Sequence, residues 1–290
     1  MSYIEKKTIK GKTYYYLTET KRVKGKFKKT RKYLGTEIPK NLKHLEKKPR
    51  KLSRKLTKKE VSVLNLIKKH YLKKYKLNKS LWKTERERIV EFIYNTNAIE
   101  GNALTFEETD EVLKGKKKLT RKEGDVKEVK NMKKCIDFLF DHKGDINEKM
   151  VLKLHNIEQT GIMPDAGKYR KVNVRVGNYI CPTWTEVPKL MAEFIGWYEI
   201  AKKQLHPFEL ASLVHLKFVK IHPFRDGNGR MARLLMNFAL LKAKYPLLNI
   251  FNDEKTLYYL VLQKYDFDKK ERSFVRYLFE VFVNQYREYL

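Results

Sequence analysis

The pattern of hydrophobic and polar positions divides the chain near residue 57. Before this point, residues 1–35 contain two stretches rich in Tyr, Thr and Val, KTYYYLTETKRV and KFKKTRKYLG, and each begins at a Lys-Gly-Lys turn. β-Branched and aromatic residues between glycine turns are typical of strands, so we predict three short antiparallel strands. A sheet of this size is marginally stable alone and must pack on another surface.

After residue 57 the apolar residues recur at the spacing of a helix. Thr57 and Glu60 form a capping-box motif, which predicts the start of a helix. The apolar face of this first helix comprises Val61, Leu64, Ile67, Tyr71 and Tyr75. The same period predicts further helices at roughly residues 81–100, 106–114, 123–142, 147–158, 187–203, 207–221, 230–243, 255–264 and 271–288.

These periods predict three regions along the chain. Residues 1–37 form a small basic β-rich module, and residues 57–290 form a helical domain. The segment between them, residues 38–56, contains Pro39, Pro49 and many lysines, which is typical of a linker.

One stretch inside the helical region alternates with the period of a strand. Between residues 171 and 184, valines alternate with polar residues up to a Gly-Asn turn, which predicts a β-hairpin. A lone hairpin exposes an edge, and exposed edges bind extended peptides by adding a strand. The sequence therefore predicts a flap that docks a target peptide through Val174, Val176 and Gly177.

Composition adds a strong positive charge to this picture. The chain has 65 Lys and Arg against 34 Asp and Glu, and the first eighty residues contain 28 basic and 5 acidic side chains. Such an excess favours polyanionic partners, although a lysine-rich solvated surface explains it equally well. Because tyrosines of the predicted strands lie among lysines, nucleic-acid binding is an alternative function for the N-terminal region.

The cysteines and the hydropathy pattern narrow the class of protein. Cys135 and Cys181 are too few for a disulfide scaffold and lack the spacing of a zinc or redox motif, so we predict two free thiols. No apolar signal core or membrane-spanning stretch is recognisable in the sequence. We expect a cytoplasmic protein with no membrane partner.

The densest chemical motif is IHPFRDGNGRMAR, residues 221–233. Pro223 ends the preceding helix and leaves His222 facing a cleft. The turn at residues 226–229 then leads into the next helix, whose free N–H groups and dipole form an anion site. A neutral imidazole with an ordinary pKa of about 6.5 is a suitable general base near neutral pH.

The other polar residues of this motif fit a metal-bound polyphosphate. Asp226 supplies a hard oxygen ligand for Mg²⁺, and Asn228 can orient a phosphate group. Arg230 and Arg233 lie one helical turn apart and can hold one phosphate tail with a bidentate geometry that lysine lacks. The motif therefore predicts attack of an activated hydroxyl on phosphorus.

The stretch HPFRDGNGRMAR resembles the signature of the Fic family, H-x-F-x-D/E-G-N-G/K-R-x-x-R, at every defined position. The resemblance extends over about residues 80–285 and includes GKYRKVNVRVG before the predicted flap. It implies a mainly α fold, a Fic-type helical domain with a β-hairpin flap, here preceded by the small antiparallel sheet. It also implies transfer of AMP from ATP to Ser, Thr or Tyr hydroxyls of a target protein, with Mg²⁺ as cofactor.

The resemblance also implies a role for each residue of the signature. His222 corresponds to the base and Asp226 to the Mg²⁺ ligand. The resemblance implies that the turn binds the α- and β-phosphates and that the two arginines bind the β- and γ-phosphates. The residues that bind the phosphates are then Gly227, Asn228, Gly229, Arg230 and Arg233. Phe224 is predicted to anchor the loop in the core, and Tyr258 and Tyr259 resemble a pair near the family's adenine pocket.

A second motif lies upstream. TNAIEGN, residues 96–102, resembles the family's inhibitory pattern S/T-x-x-x-E-G/N. The resemblance implies an inhibitory helix at about residues 81–101, whose Glu100 engages Arg233. His206 and His215 lack the spacing of a zinc helix and are predicted to be structural.

Several alternatives stay open at the level of sequence. The Fic fold also supports other nucleotide or phosphate transfers, although Gly229 favours AMP transfer over a kinase-type variant. Removal of AMP from a modified protein, with Glu100 positioning water, is a further alternative. The motifs define neither the target protein, for which the chain itself is one candidate, nor the oligomeric state.

Overall fold

The computed structural model describes residues 2–9, 11–23, 26–37, 52, 55–74, 85–115, 123–177 and 179–290. The chain divides into two compact units, Met1–Leu52 and Ser53–Leu290. Most of the predicted linker, residues 38–56, and the side chain of Tyr75 lie outside the described residues.

The first unit is the predicted three-stranded antiparallel sheet. It comprises β1 (Ser2–Ile9), β2 (Lys12–Val23) and β3 (Lys26–Gly35), in the spatial order β1-β2-β3. Gly11 has a φ of +77°, which explains why glycine stands at the turn between β1 and β2. Tyr16 pairs with Tyr33 across β2 and β3 next to a register shift.

The second unit is mainly helical, which confirms the predicted fold class. Its α-helices in the described residues are α1 (Lys58–Lys74), α2 (Arg86–Ala98), α3 (Phe106–Leu113), α4 (Glu123–Asp141), α5 (Glu148–Gln159), α6 (Val187–Ala201), α7 (Pro207–Ile221), α8 (Asn228–Lys242), α9 (Lys255–Asp268) and α10 (Glu271–Gln285). A hairpin of β4 (Arg175–Val176) and β5 (Tyr179–Ile180) lies between α5 and α6.

The core of this unit is built around α7 and α8. These two helices pack against each other, and α6 and α10 pack on α7. Val214, Leu216 and Leu234 are fully buried. Because α7 and α8 are joined by residues 222–227, the predicted catalytic loop lies at one end of the most buried helix pair.

Local capping motifs mark the starts of two helices. Thr57 and Glu60 form the predicted capping box, with Glu60 N–H donating to Thr57 Oγ1 at 3.2 Å. Thr105 and Glu108 form the same motif at the start of α3. Helix α8 begins at Asn228, two residues before the predicted start, because the left-handed Gly227 (φ +76°) serves as its N-cap.

The hairpin is shorter than predicted. Its strands contain two residues each, so Val172 and Val174 lie outside the ladder. Instead of pairing across the hairpin, the Val172 carbonyl accepts a hydrogen bond from Arg170. Asn178, in the predicted turn, lies outside the described residues.

Two further observations concern the thiols and the helices. Cys135 and Cys181 are free and buried, as predicted. Within the described part of the chain, no helix has the length and apolar character needed to span a membrane.

Candidate active site

His222 ends α7 in an unusual backbone conformation. Its φ of 52° and ψ of 58° are left-handed, and its N–H donates to the Phe218 carbonyl at 3.1 Å. The imidazole Nδ1 lies 3.3 Å from the Val219 carbonyl. Because a carbonyl only accepts hydrogen bonds, Nδ1 carries the proton and Nε2 carries the free lone pair. Burial lowers the pKa of His222 below 6.5, which favours this neutral form.

Asn228 holds the loop between the two helices in shape. Its side-chain Oδ1 accepts from the Phe224 N–H, and its Nδ2 donates to the Phe224 carbonyl, both at 2.9 Å. The side chain is buried, and both hydrogen bonds of its amide stay within the loop. The contribution of Asn228 to an anion site would therefore come from its backbone N–H at the start of α8.

The two glycines of the turn make room for two carboxylates. A Cβ at Gly227 would lie 2.4 Å from Glu158 Oε2. A Cβ at Gly229 would lie 2.3 Å from Glu100 Oε1. Real Cβ contacts are longer than this, so any side chain at either position would displace its neighbour.

Phe224 is fully buried beneath the loop, as predicted for a core anchor. Its ring stacks on that of His155, with 3.6 Å between centroids. His155 Nδ1 accepts from the Gly167 N–H at 2.9 Å, and Nε2 lies 3.2 Å from the Asp226 carbonyl. Burial lowers the pKa of His155 to about 4, so the ring stays neutral and bridges two loops.

Arg233 pairs with the predicted inhibitory segment. Its Nη2 lies 2.7 Å from Glu100 Oε1 and donates to the Thr96 carbonyl at 2.9 Å, and its Nε donates to Thr96 Oγ1 at 2.7 Å. The arginine side chain is 1% exposed and that of Glu100 30%. Gly101 (φ +99°) follows α2 in a left-handed conformation, as expected of a residue that ends a helix.

Arg230 has a different environment, which the sequence did not indicate. Its guanidinium lies 2.6 Å from Glu128, 2.8 Å from Glu158 and 3.3 Å from Asp226, and it is 2% exposed. We call Glu128, Glu158 and Asp226 the carboxylate cluster. Burial raises the pKa of Glu158 to about 7, and the positive charge of Arg230 opposes this shift.

A cavity of about 310 Å³ opens beside the loop. Of the site residues predicted from the sequence, those that line it are Glu100, Val176, Gly177, His222, Gly229 and Arg233. The others, which do not line it, are Val174, Asp226, Gly227, Asn228 and Arg230. The predicted base, one arginine, the inhibitory carboxylate and the flap therefore share one cavity.

The tyrosine pair noted in the sequence also lines this cavity. Tyr258 is buried, and its hydroxyl lies 2.9 Å from His215 Nε2. Tyr259 is 38% exposed, and its hydroxyl donates to the Ile99 carbonyl at 3.3 Å. Together the two rings provide an apolar wall on which a flat aromatic base can pack.

Two lining residues had no sequence signal. Lys220 and Asp266 form an ion pair of 2.6 Å in the cavity wall. The Tyr179 hydroxyl donates to the Lys220 carbonyl at 2.8 Å, which ties β5 to the end of α7. These contacts join residues that are 41 or more positions apart, so no local motif could have indicated them.

Comparison with known proteins assigns this architecture to a family. Residues 145–240 match the model of the Fic/DOC family, so the chain carries a Fic domain. The chain is 34% identical over 209 residues to the protein adenylyltransferase Fic of Culex quinquefasciatus, an alignment that covers 70% of this chain and 42% of that protein. The Drosophila melanogaster protein of the same name is 34% identical over 207 residues, 69% of this chain and 42% of that one. The chain thus spans less than half the length of these relatives.

Solved structures agree with the family assignment. A Fic family protein from Desulfovibrio desulfuricans superposes with a TM-score of 0.71 at 27% identity, covering 82% of this chain and 76% of that one. Fic-1 from C. elegans superposes with a TM-score of 0.70 at 26% identity, covering 79% and 70%.

Proposed function

We propose that this chain is a protein adenylyltransferase, which transfers AMP from ATP to a Ser, Thr or Tyr hydroxyl of a protein. The observation that carries the proposal is the shared cavity, in which His222, Gly229 and Arg233 face the tyrosine pair. The names of the relatives from Culex and Drosophila point to the same activity.

In the proposed reaction, His222 Nε2 accepts the proton of the incoming hydroxyl. The hydroxyl oxygen forms a bond to the α-phosphorus, and the bond between that phosphorus and the α–β bridging oxygen breaks, releasing pyrophosphate. The left-handed His222 backbone and the Val219 carbonyl fix the ring in the tautomer that this step requires. The N–H groups at the start of α8 stabilise charge on the phosphate oxygens.

Mg²⁺ would bind through Asp226 and the phosphates of ATP. The described residues contain no group of three or more His, Cys, Asp or Glu side chains arranged to hold a metal. A single carboxylate fits Mg²⁺ nevertheless, because this ion commonly binds one or two carboxylates, substrate phosphates and water. Asp226 suits this role since its side chain is 57% exposed and Arg230 is its ion-pair partner at 3.3 Å. The ion would neutralise charge on the phosphates.

The contact between Glu100 and Arg233 suggests that the proposed activity is inhibited within the chain. Glu100 holds Nη2 of Arg233 at 2.7 Å and lies within the cavity. An arginine bound to this carboxylate cannot also bind a γ-phosphate, and ATP would then be held out of line for attack. Removal of Glu100 would free the arginine.

The flap would supply the docking edge for the target. Val176 is 46% exposed and Gly177 lines the cavity, so an extended segment paired with β4 would pass the base. Val174 lies one residue before β4 and would extend this edge. We expect Val174→Pro to lower protein modification more than ATP binding, because proline removes an N–H donor.

The proposal is tested with α-labelled and γ-labelled ATP. We expect α-label but no γ-label on protein, and loss of transfer by about 10³-fold or more in His222→Ala with little change in ATP affinity. His70→Ala, a half-buried histidine on α1, is the matched control and should leave transfer unchanged. Transfer of γ-label would identify a kinase, and release of AMP from a modified protein would identify the reverse activity.

A second function is favoured by one observation in the first unit. The ring of Tyr33 lies 6.3 Å from that of Tyr14 and 5.4 Å from that of Tyr16, and Lys7 Nζ lies 5.8 Å from the Tyr16 ring. Tyr33 is 53% exposed. Residues 1–37 contain 12 Lys and Arg against 3 Glu. Neighbouring tyrosine rings among cations suit a single-stranded nucleic acid, and we propose binding of such a strand as the function of the sheet.

This function is tested by titrating the whole chain with a fluorescent single-stranded oligonucleotide. We expect affinity to fall steeply between about 50 and 200 mM salt, to survive His222→Ala, and to drop about 5- to 100-fold in Tyr33→Ala. Tyr259→Ala, an exposed tyrosine of the second unit, is the control. Binding that depends on His222 or is unaffected by Tyr33→Ala would contradict the proposal.

A further inference from the structure

Arg170 is a buried arginine that the proposed reaction does not use. Its side chain is 2% exposed and donates three hydrogen bonds to carbonyl groups. Nε donates to His222 at 2.8 Å, Nη1 to Val172 at 2.9 Å and Nη2 to Pro182 at 2.6 Å. Its own backbone N–H donates to the Pro223 carbonyl at 3.0 Å.

In the part of the chain that the structure describes, the guanidinium has no acidic partner. Among the described residues, no carboxylate lies within ion-pair distance of Arg170, although Arg230 and Arg233 nearby each have at least one. A buried charge is costly unless its donors are satisfied, and here backbone carbonyls satisfy them. Packing alone would be served equally well by an apolar side chain of similar volume.

The three carbonyls belong to three places that the proposed reaction needs to keep together. His222 is the proposed base at the end of α7. Val172 precedes the hairpin and Pro182 follows it, so they lie at the two ends of the flap. A planar guanidinium has donors in fixed directions, and one such group can therefore set all three backbone positions at once.

The His222 backbone needs such support. Its left-handed conformation is sparsely populated for residues other than glycine, and it persists only where the surroundings hold it. Arg170 holds two consecutive peptide groups here. Its side chain binds the His222 carbonyl, in the peptide that joins residues 222 and 223, and its backbone N–H binds the Pro223 carbonyl in the next peptide.

We propose that Arg170 is a positioning residue that places the base and the flap as one unit. Through the carbonyls of His222, Val172 and Pro182 it keeps the imidazole and the docking edge in register across the cavity. This inference rests on the proposed function, because it assigns Arg170 a role in bringing the target hydroxyl to His222.

Electrostatics supports this assignment. The positive charge of Arg170 lowers the pKa of His222, in addition to the larger effect of burial. The charges of Glu100 and Asp226 and the hydrogen bond to Val219 act in the opposite direction. The arginine therefore helps to keep the ring neutral, which is the form that accepts a proton.

Two variants separate the geometry from the charge. Arg170→Lys keeps the charge but lacks the planar fork, and Arg170→Gln loses both. Lys168→Gln, an exposed residue two positions earlier, is the control for loss of a nearby charge. Each is made in the chain with Glu100→Ala, and the measurements are kcat, ATP affinity, the His222 pKa by histidine NMR, and the rate of trypsin cleavage after Arg175 in the flap.

We expect both Arg170 variants to lower kcat by about 10- to 100-fold, because small misplacements of reacting groups have effects of this size. ATP affinity should change by less than about threefold, since Arg170 does not line the cavity. Cleavage after Arg175 should be faster in both. The pKa of His222 should rise in Arg170→Gln only, and Lys168→Gln should match the parent in every measurement.

The outcomes distinguish this inference from the proposed function. If no protein receives AMP, the proposed function fails, and the NMR and trypsin measurements still decide whether Arg170 sets His222 and the flap. Unchanged kcat, cleavage and His222 signals in both variants would overturn the inference. Equal loss of ATP affinity and kcat would also overturn it, because general misfolding produces that result. If Arg170→Gln does not fold, as judged by circular dichroism, the Lys variant decides through kcat and cleavage.

Discussion

The two arginines of the signature have the same chemistry and opposite surroundings. Arg233 lines the cavity and faces one carboxylate, Glu100, whose side chain is 30% exposed. Arg230 lies outside the cavity lining and faces the carboxylate cluster, in which Glu158 is 2% exposed. A side chain at Gly227 would collide with Glu158 of the cluster, and a side chain at Gly229 would collide with Glu100.

This difference indicates which arginine can change partners. Glu100 lies in the turn after α2 and its side chain can rotate into water, so a phosphate can replace it at Arg233 with little desolvation. Arg230 compensates three carboxylates, of which Glu158 is buried, and its removal would leave Glu158 unpaired in the protein interior. We infer that the Arg233 pair is the exchangeable contact and that the Arg230 pair holds the loop together.

The largest expected effect concerns stability. Arg230→Met should lower the free energy of unfolding by about 3–5 kcal/mol, because it leaves the carboxylate cluster uncompensated. Arg233→Met should lower it by about 1–2 kcal/mol, because Glu100 can become solvated. Urea unfolding at pH 8 measures both. Equal losses would show that the two pairs do not differ in the way inferred here.

The next effect concerns the proposed activity. Glu100→Ala should raise AMP transfer by about 10- to 100-fold, because Arg233 becomes free to align the phosphates. Glu107→Ala, which removes an exposed acid from α3, is the matched control and should stay within about twofold of the parent. Initial rates at equal enzyme concentration decide between them, and a Glu100→Ala rate no higher than that of the control would remove Glu100 as the inhibitor.

A smaller effect should appear on ligand binding. Mg-ATP should stabilise Glu100→Ala more than the parent. In the variant Arg233 has lost its carboxylate partner and gains a phosphate partner when ATP binds, whereas in the parent it is already paired with Glu100. We expect an additional rise in Tm of about 2–4 °C, measured by thermal melts with and without Mg-ATP. An equal rise in Tm for the parent and the variant would contradict this expectation.

The smallest effect concerns pH and tests the loop beside the cluster. Burial lowers the folded pKa of His155 to about 4, below its ordinary value of 6.5. The unfolded chain therefore binds more protons between these values, and stability should fall as pH drops from about 6.5 to 4. His155→Gln should reduce this fall by about 1–2 kcal/mol in urea titrations. A slope identical to the parent's would show that the folded pKa of His155 is not lowered.

Much of the helical unit followed from local signals. The capping boxes at Thr57 and Thr105 marked helix starts because each satisfies free N–H groups within four residues. The hairpin was predicted too long, because alternation of valines cannot show that a distant arginine will bind the Val172 carbonyl. At the hairpin, the boundary differs from the prediction because a tertiary hydrogen bond replaces a local one.

The candidate site also contains one contact that motifs predicted and others that no motif indicated. Glu100 and Arg233 are 133 positions apart, and their pairing was anticipated from the resemblance of two motifs to a family, which the structure places 2.7 Å apart. No recognisable motif surrounds Glu128 in α4 or Glu158 in α5. Their contacts with Arg230 follow from the packing of α4 and α5 near α8, which no periodicity encodes.

The sequence by itself determined the shape of the loop, since Gly227 and the side chain of Asn228 form its turn and its hydrogen bonds within residues 221–233. Only the tertiary structure decided what each residue faces. Burial lowers the pKa of His222, three carboxylates surround the buried Arg230, and Arg170 joins the flap to the loop. These properties depend on desolvation and on contacts between distant segments, and both arise only when the helices pack.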